Sequence, residues 1–289
     1  MDKYVTIEKA VGETPLSCAE KYRENHQELD GLAMAYAGRL DPMASGKLLV
    51  LLGEECKNQT SYHGLDKEYE FSILFGIESD SQDVMGRLKP FLPTDTEKER
   101  LAAGGFGWGD AGVTDSCLLV EKVSTEIKNF VGKVELPYPI FSSKTVQGKP
   151  LHTWTMEGRL GEIEIPTKES EVFELELVKT EEISRQDMVE QALEKVNSVP
   201  PVTELRKALG NDFRRVDVRK DWDKILKNDT LPDTYQIAHL RCVASSGTYM
   251  RTLASEIAKS IGTVGLAWSI HRTKIGKFDS KNKTWSLEY

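Results

Sequence analysis

The sequence predicts an α/β (α+β) protein in which short strands and helices alternate along most of the chain. Three observations carry this prediction. The apolar run from Leu48 to Leu52, bounded by Gly46 and Gly53, has the length and flanks of a buried strand. Residues 67–76 alternate between apolar and polar side chains, as a half-buried strand does. Apolar residues recur at helical spacing between 116 and 131, which predicts an amphipathic helix.

The first quarter of the chain contains three further predicted elements. Residues 3–8 predict a short first strand. A helix from Pro15 to about Leu29 follows, because Thr14 suits the N-cap and proline is favoured at the first helical position. A short helix is expected from Glu54 to Gly64.

The second half of the chain predicts a similar mixture. Strands are expected at 171–180 and 235–244, where apolar residues predominate or alternate. A capped helix begins at Ser184, with Asp187 in its first turn. A further helix at 249–261 opens from a turn of small residues, a place where backbone N–H groups favour anions.

Two segments are predicted to be insertions. Residues 87–115 indicate a surface segment with a charged helix from Thr94 to Leu101 and a flexible loop from Gly104 to Gly109. No Lys-Ser or Lys-Thr pair follows these glycines, so a phosphate-binding loop and a nucleotide cofactor are not expected. Residues 184–230 add a second helix from Val202 to Leu209 and many basic residues. We expect a solvated, charged helix pair there; the alternative is an extra RNA-binding arm.

Composition limits the class of protein. The chain has 289 residues, 29% of them charged, and a formal net charge of -8. No apolar run approaches the length of a membrane span, and the N-terminus does not resemble a signal peptide. The four cysteines are widely scattered, which favours a reducing, cytoplasmic setting over a zinc site or a disulfide framework. A local basic cleft can coexist with an acidic surface.

The most informative stretch runs from Gly38 to Glu54. It begins with a polar turn, Gly-Arg-Leu-Asp-Pro-Met-Ala-Ser-Gly, and continues into the apolar strand. Asp41 therefore lies at the mouth of a core element, where a rigid scaffold can orient its carboxylate. Asp-Pro alone also occurs in ordinary turns, since proline fixes the backbone of the next step.

This stretch resembles the catalytic motif of the TruB family of tRNA pseudouridine synthases. Arg39 is instead typical of the RluA branch of these enzymes, so the motif is mixed. Departures from the family pattern occur at Ala10, Tyr36, Phe141 and His271. Further stretches resemble the family in matching order: Lys9–Thr14, Lys67–Gly76, Gly76–Gly86, Leu136–Leu151, Ser246–Leu253 and Gly265–Phe278.

The resemblance implies a pseudouridine-synthase fold, with a mixed, mostly antiparallel sheet, surrounding helices and a central RNA cleft. It implies one catalytic domain over 1–289, interrupted by the two insertions, and no C-terminal PUA domain. The implied reaction isomerises uridine to pseudouridine in tRNA, typically at position 55 of the T arm, on a base extruded from its stack. No metal, nucleotide or redox cofactor is expected, and the chain is expected to act as a monomer in the cytoplasm.

The resemblance also implies roles for individual residues. Asp41 would be the catalytic carboxylate, attacking the base or the sugar or abstracting a sugar proton. Arg251 would hold Asp41, and Asp83 would hold Arg251, so that both carboxylates stay ionised. Tyr69 would stack on the uracil and assist proton removal at its C5. The expected substrate-binding residues are Lys9, Tyr36, Arg39, Lys144, Tyr249, Ile270 and Arg272.

Each of these residues also has an ordinary structural interpretation. Tyr36 can be a core aromatic, Tyr69 a sheet-surface tyrosine, and Arg251 a surface arginine. Three alternatives for the whole chain stay open. It could be a non-catalytic RNA-binding or tRNA-folding protein, a scaffold protein without RNA affinity, or an RluA-like synthase for another RNA, the last supported only by Arg39.

Overall fold

The strands and helices are taken from a computed structural model, which describes residues 2–92, 108–109, 112–113, 116–201 and 214–289. The helices predicted at 94–101 and 202–209 lie outside the described residues, as does most of the glycine-rich loop at 104–109.

The described residues contain fifteen strands and six α-helices. The strands are β1 Tyr4–Lys9, β2 Met34–Ala37, β3 Ala44–Leu52, β4 Asp66–Phe75, β5 Ile77–Ser79, β6 Leu88–Pro90, β7 Trp108–Gly109, β8 Gly112–Val113, β9 Gly132–Pro137, β10 Thr145–Val146, β11 Lys149–Pro150, β12 Thr167–Ser184, β13 Thr234–Ala244, β14 Gly265–Asp279 and β15 Thr284–Glu288. The helices are α1 Pro15–Glu24, α2 Ser116–Glu126, α3 Leu151–Met156, α4 Arg185–Ser198, α5 Arg215–Lys227 and α6 Met250–Ser260.

One large sheet organises these elements. Its strands follow the order β1, β3, β14, β4, β13, β12, β9, while β2 adds to β3 and β15 adds to β14. All pairs in this sheet are antiparallel except β3 with β14, where residues 44–46 run parallel to residues 270–272. The predicted mixed, mostly antiparallel sheet with surrounding helices is therefore confirmed.

The segment predicted to be an insertion, which we call the helical insertion, is described over residues 184–201 and 214–230. Its helices α4 and α5 pack against each other. The second helix of the predicted solvated pair, at 202–209, lies outside the described residues, whereas the inner faces of α4 and α5 bury apolar side chains at helical spacing in the main core. The buried residues on these faces are Met188, Val189, Ala192, Val196, Val218, Trp222 and Ile225.

Several element bounds and burial patterns differ from the prediction. Helix α1 has the predicted N-cap, with Thr14 and Ser17 forming a reciprocal capping box, but it ends at Glu24. Residues 27–29 form a separate 3₁₀ turn that buries Leu29, which is why the apolar spacing extended the prediction too far. Strand β4 is buried throughout its second half because it lies between β14 and β13 in the middle of the sheet.

The remaining features of the described chain are a short 3₁₀ helix, three thiols, and the lack of membrane-spanning helices and metal-binding clusters among the described residues. The segment 53–62 is a 3₁₀ helix, close to the predicted short helix. Cys18, Cys56 and Cys242 are thiols without disulfide partners. No helix in the described ranges is long and apolar enough to cross a membrane. Within those ranges, no three His, Cys, Asp or Glu side chains converge to hold a metal ion.

Candidate active site

Asp41 lies in the turn between β2 and β3, which we call the Asp41 turn (residues 38–46). Leu40 and Met43 are buried on either side of it and anchor the turn in the core. Gly38 adopts a positive φ of 85°, a conformation that glycine takes at no steric cost. The Asp41 side chain is 45% exposed, so its carboxylate is held by a buried frame and still faces solvent.

Two buried cationic side chains donate hydrogen bonds to backbone carbonyls in and next to the Asp41 turn. The Arg272 guanidinium donates to the carbonyl of Lys47 at 2.7 Å and to that of Gly38 at 3.3 Å. The Lys9 ammonium donates to the carbonyl of Ala44 at 2.5 Å. Both side chains are only 1% exposed. Both predicted substrate-binding residues thus satisfy backbone carbonyls, and Arg272 also lines the cleft that contains Asp41.

Gly46 allows the end of this turn to meet β14. It has a φ of 104°, and a Cβ atom there would lie 2.3 Å from the backbone oxygen of Arg272. The parallel contact between β3 and β14 therefore depends on the absence of a side chain. This contact brings the Asp41 turn beside the strand that carries Ile270.

Arg251 joins the predicted acidic residues. It is the second residue of α6 and is 5% exposed. Its Nε lies 2.8 Å from Asp41 Oδ2 and 3.7 Å from Asp83 Oδ2. Burial opposes the guanidinium charge, but the two carboxylates outweigh it, and the pKa of Arg251 is raised. Its two terminal nitrogens donate to the carbonyls of Ser81, at 2.8 Å, and Phe141, at 3.4 Å.

Asp83 differs from Asp41 in its surroundings. It lies in the Asp83 turn (residues 79–87) with a side chain that is 6% exposed. One carboxylate oxygen accepts hydrogen bonds from the Ser81 hydroxyl at 2.6 Å and the Met85 N–H at 2.9 Å. Burial raises the pKa of Asp83, against the opposing charge of Arg251. Asp83 is therefore shielded from solvent, and the arginine alone does not set its ionisation.

A cleft of about 940 Å³ is lined by Tyr69 and Ile270 together with Asp41, Asp83 and Arg251. Tyr69 lies on β4, opposite Arg272 on β14. Burial raises the pKa of the Tyr69 phenol, partly opposed by the nearby Arg272 charge. The phenol is therefore neutral near pH 7 and can act as a donor and as a flat apolar surface.

The remaining predicted substrate-binding residues separate into two groups. Arg39 and Tyr249 line the cleft, with Tyr249 edge-on to Tyr138 at a centroid distance of 5.6 Å. Lys144 is exposed near the cleft, its ammonium 5.0 Å from the centre of the Tyr138 ring. Tyr36 does not line the cleft. It packs against the small cluster of buried residues between α1, β1 and β3.

Several cleft residues were not found from the sequence. Lys67, at the start of β4, is buried; burial and the Arg272 charge lower its pKa to about 8. Lys67 opens the family-like stretch Lys67–Gly76 but is not among the predicted site residues. The helical insertion also reaches the cleft, through residues 199–201, Arg214 and Arg215. No local pattern predicted that contact, because it depends on how the insertion packs.

The chain is similar in sequence to known pseudouridine synthases. A family model described as TruB family pseudouridylate synthase (N terminal domain) matches residues 28–102. A tRNA pseudouridine synthase B from Caldicellulosiruptor saccharolyticus is 26% identical over all of this chain and 72% of the relative. One from Bordetella avium is 23% identical over 96% of this chain and 82% of the relative. The tRNA pseudouridine synthase 4 of Saccharomyces cerevisiae is 25% identical, over 91% of this chain and 64% of its own length.

Among solved structures, a chain of a Cbf5-Nop10-Gar1 complex aligns with 94% of this chain and 48% of its own length, at a TM-score of 0.46 and 13% identity. A chain from an H/ACA RNP bound to a substrate RNA containing 2'-deoxyuridine aligns with 93% of this chain and 46% of its own length, at a TM-score of 0.43 and 13% identity.

Proposed function

Because this chain belongs to the TruB family of pseudouridine synthases, we propose that it isomerises uridine to pseudouridine in tRNA. The observation that carries the proposal is the pairing of a half-exposed Asp41 with a buried Arg251. A carboxylate that is oriented from behind and open in front is suited to act on a bound nucleotide. An RNA-binding protein without catalysis has no need of a carboxylate facing the phosphates of its ligand.

The proposed chemistry assigns different work to the residues around Asp41. Asp41 is the reacting carboxylate, and Arg251 orients it through the 2.8 Å contact. Asp83 holds Arg251 from the buried side. Ile270 and Tyr69 provide an apolar surface and a ring for the uracil once it has left its stack. The Tyr69 hydroxyl is the group we assign to proton removal at C5 of the rotated base.

The RNA partner must be bound by a chain of net charge -8, so local basic residues have to provide the contact. Arg39 at the cleft and the exposed Lys144 beside Tyr138 are suited to phosphates, and the two tyrosines to bases. We assign the target to position 55 of the T arm, as the family resemblance implies. A monomer acting in the cytoplasm is part of the same proposal, supported by the buried thiols of Cys18 and Cys242.

The test compares the wild-type chain with Asp41→Asn on an unmodified T-arm transcript and on a full-length tRNA transcript. Pseudouridine is measured in the product, and RNA affinity is measured as a function of salt. We expect product from the wild type, and a loss of about 10³-fold or more in the variant with unchanged RNA binding. RNA binding by both chains with no product from either would identify a non-catalytic binder or a different RNA substrate. Pseudouridine formation by Asp41→Asn would show that Asp41 is not the reacting carboxylate.

A further inference from the structure

The helical insertion forms part of the cleft wall. Residues 199–201, which follow α4, and Arg214 and Arg215, which begin α5, line the same cleft as Asp41 and Arg251. None of the motif stretches that resemble the family includes this segment. Its contribution to the site therefore does not follow from those motifs.

The insertion is fixed to the Asp83 turn. The indole N–H of the fully buried Trp222 donates to the carbonyl of Val84 at 3.2 Å. Arg87, at the end of the same turn, forms an ion pair with Asp221 at 2.5 Å, and the Leu88 N–H donates to that carboxylate at 3.4 Å. A buried aromatic and a paired charge next to each other make α5 a rigid support for this turn.

Arg214 lies where this support meets the cleft. Its guanidinium forms an ion pair with Asp80 and lies 4.5 Å from the centre of the Phe141 ring. The other oxygen of Asp80 accepts the Arg87 N–H at 2.9 Å, which closes the Asp83 turn. Arg214 also has a φ of 65°, a left-handed conformation that is rare and strained for a residue other than glycine.

Both partners of Arg214, Asp80 and Phe141, lie in segments that hydrogen-bond to Arg251. Asp80 precedes Ser81, whose carbonyl accepts from one terminal nitrogen of Arg251 at 2.8 Å. The carbonyl of Phe141 accepts from the other terminal nitrogen at 3.4 Å. Arg214 therefore connects the two segments that orient the guanidinium facing Asp41, although it does not touch Asp41 itself.

We infer that Arg214 is a positioning residue for the reaction, which holds the Asp83 turn and Phe141 in register so that Arg251 is aimed at Asp41. This inference rests on the proposed function for its effect on rate. Arg214 acts through Asp80 and Phe141, and a small displacement of Arg251 from the productive geometry lowers the rate without weakening RNA binding.

The test uses Arg214→Gln, Asp80→Asn and the double variant in the full chain, with Lys227→Gln as the control. Lys227 is an exposed residue at the far end of the same helix. Pseudouridine formation is measured in single turnover at saturating tRNA, together with the Kd for tRNA. Hydrogen exchange of the peptide spanning 79–88 is measured on the same proteins without RNA.

We expect Arg214→Gln and Asp80→Asn each to slow the single-turnover rate about 10- to 100-fold, with a Kd within roughly 3-fold of the wild type. The double variant should be no slower than the slower single variant, because both break one connection. Lys227→Gln should match the wild type. A weaker Kd with an unchanged rate would instead make Arg214 an RNA contact, and additive effects in the double variant would contradict the shared connection.

Hydrogen exchange separates this inference from the proposed function. If the wild type makes no pseudouridine, the proposed function fails, but exchange still reports on the connection. We expect faster exchange across 79–88 in Arg214→Gln and Asp80→Asn and not in Lys227→Gln, since the Arg87 N–H loses a fixed acceptor. Unchanged exchange in both variants would overturn the inference whether or not the chain is active.

Discussion

Two turns place a carboxylate against Arg251, and they are supported in different ways. The Asp41 turn lies on two buried cations, Lys9 and Arg272, that bind its backbone carbonyls. The Asp83 turn lies against the helical insertion, through the Trp222, Asp221 and Arg214 side chains. The Asp41 side chain is 45% exposed, whereas that of Asp83 is 6% exposed.

This difference separates a reacting group from a supporting group. A carboxylate that acts on RNA must be reached by RNA, and Asp41 meets that requirement. A carboxylate that only orients an arginine is more effective where water is excluded, because the interaction is then less screened. The first turn is supported by residues within the family-like stretches, and the second by residues of the insertion. The Asp41 turn is thus supported from within the motif stretches, and the Asp83 turn from a segment outside them.

Arg251→Gln removes the guanidinium that contacts both Asp41 and Asp83, and it has the largest expected effect. It leaves the buried Asp83 without its cation, so we expect the free energy of unfolding to fall by about 3–5 kcal/mol and activity to be lost. Denaturant unfolding and pseudouridine formation measure the two effects. Asp41→Asn is the matched control: the asparagine keeps an oxygen facing Arg251 and leaves the Arg251–Asp83 pair intact, so the free energy of unfolding should fall by clearly less than in Arg251→Gln. Equal destabilisation by both variants would contradict the comparison.

Gly46→Ala disturbs the Asp41 turn alone. The new Cβ would approach the Arg272 backbone oxygen at 2.3 Å and has no flexible neighbour to displace. Gly31→Ala is the control, because Gly31 also has a positive φ but has nothing within 4 Å of the new Cβ. We expect Gly46→Ala to cost about 1–3 kcal/mol more than Gly31→Ala, measured by denaturant unfolding. The same loss of stability in both variants would show that the positive φ, and not the close approach to Arg272, causes the loss.

Trp222→Phe disturbs the support of the Asp83 turn. It leaves the Val84 carbonyl without its indole donor, so we expect a loss of about 1–3 kcal/mol and faster hydrogen exchange across residues 79–88. Trp285→Phe is the control, since the Trp285 indole nitrogen has no hydrogen-bond partner among the described residues. Trp285→Phe should cost less and leave exchange across 79–88 unchanged. Equal hydrogen exchange in both variants would show that Trp222 in α5 does not support this turn.

The pH dependence of stability should give the smallest effect. Burial lowers the pKa of Lys9, beneath the Asp41 turn, to about 8, and that of Lys195, whose ammonium donates to the Trp268 carbonyl, also to about 8. An unfolded lysine titrates near about 10.4, so the folded state releases these protons first. The wild type should therefore gain stability relative to Lys9→Met or Lys195→Met as pH rises from about 8 to 10. Denaturant unfolding at several pH values measures this gain.

The two lysines also sharpen the comparison. Lys9→Met should slow pseudouridine formation, because it removes a support of the Asp41 turn, whereas Lys195→Met should affect stability with little change in rate. The exposed Lys227→Met should show neither effect. A pH-independent difference between wild type and Lys9→Met would contradict a buried ammonium beneath the turn.

The sequence predicted the part of the site that lies in contiguous motifs. The apolar run bounded by glycines predicts the strand after Asp41, and the resemblance of Ser246–Leu253 to the family motif predicts the role of Arg251. The residue pattern could not show burial. The family resemblance predicts substrate binding for Lys9 and Arg272, and it does not reveal that both side chains donate to backbone carbonyls.

The second limit on prediction from the sequence is that it does not show which residues far apart in the chain contact each other. The ion pair of Arg214 with Asp80 joins residues 134 positions apart, and neither has a neighbouring signal that names its partner. Trp222 lies in a stretch for which the sequence predicts no helix, and only the packing of α5 shows that its indole contacts Val84. Sequence periodicity reports which face of a helix is apolar, but not which turn that face will support.

The most direct test of the division between the two carboxylates is single-turnover pseudouridine formation by the wild type, Asp41→Asn and Asp83→Asn at saturating tRNA. We expect no detectable product from Asp41→Asn. Asp83→Asn should retain product at a rate reduced about 10- to 100-fold, because Arg251 is less well oriented but the reacting carboxylate is present. Product from Asp41→Asn, or an Asp83→Asn variant that is folded, binds tRNA and is equally inactive, would contradict this account.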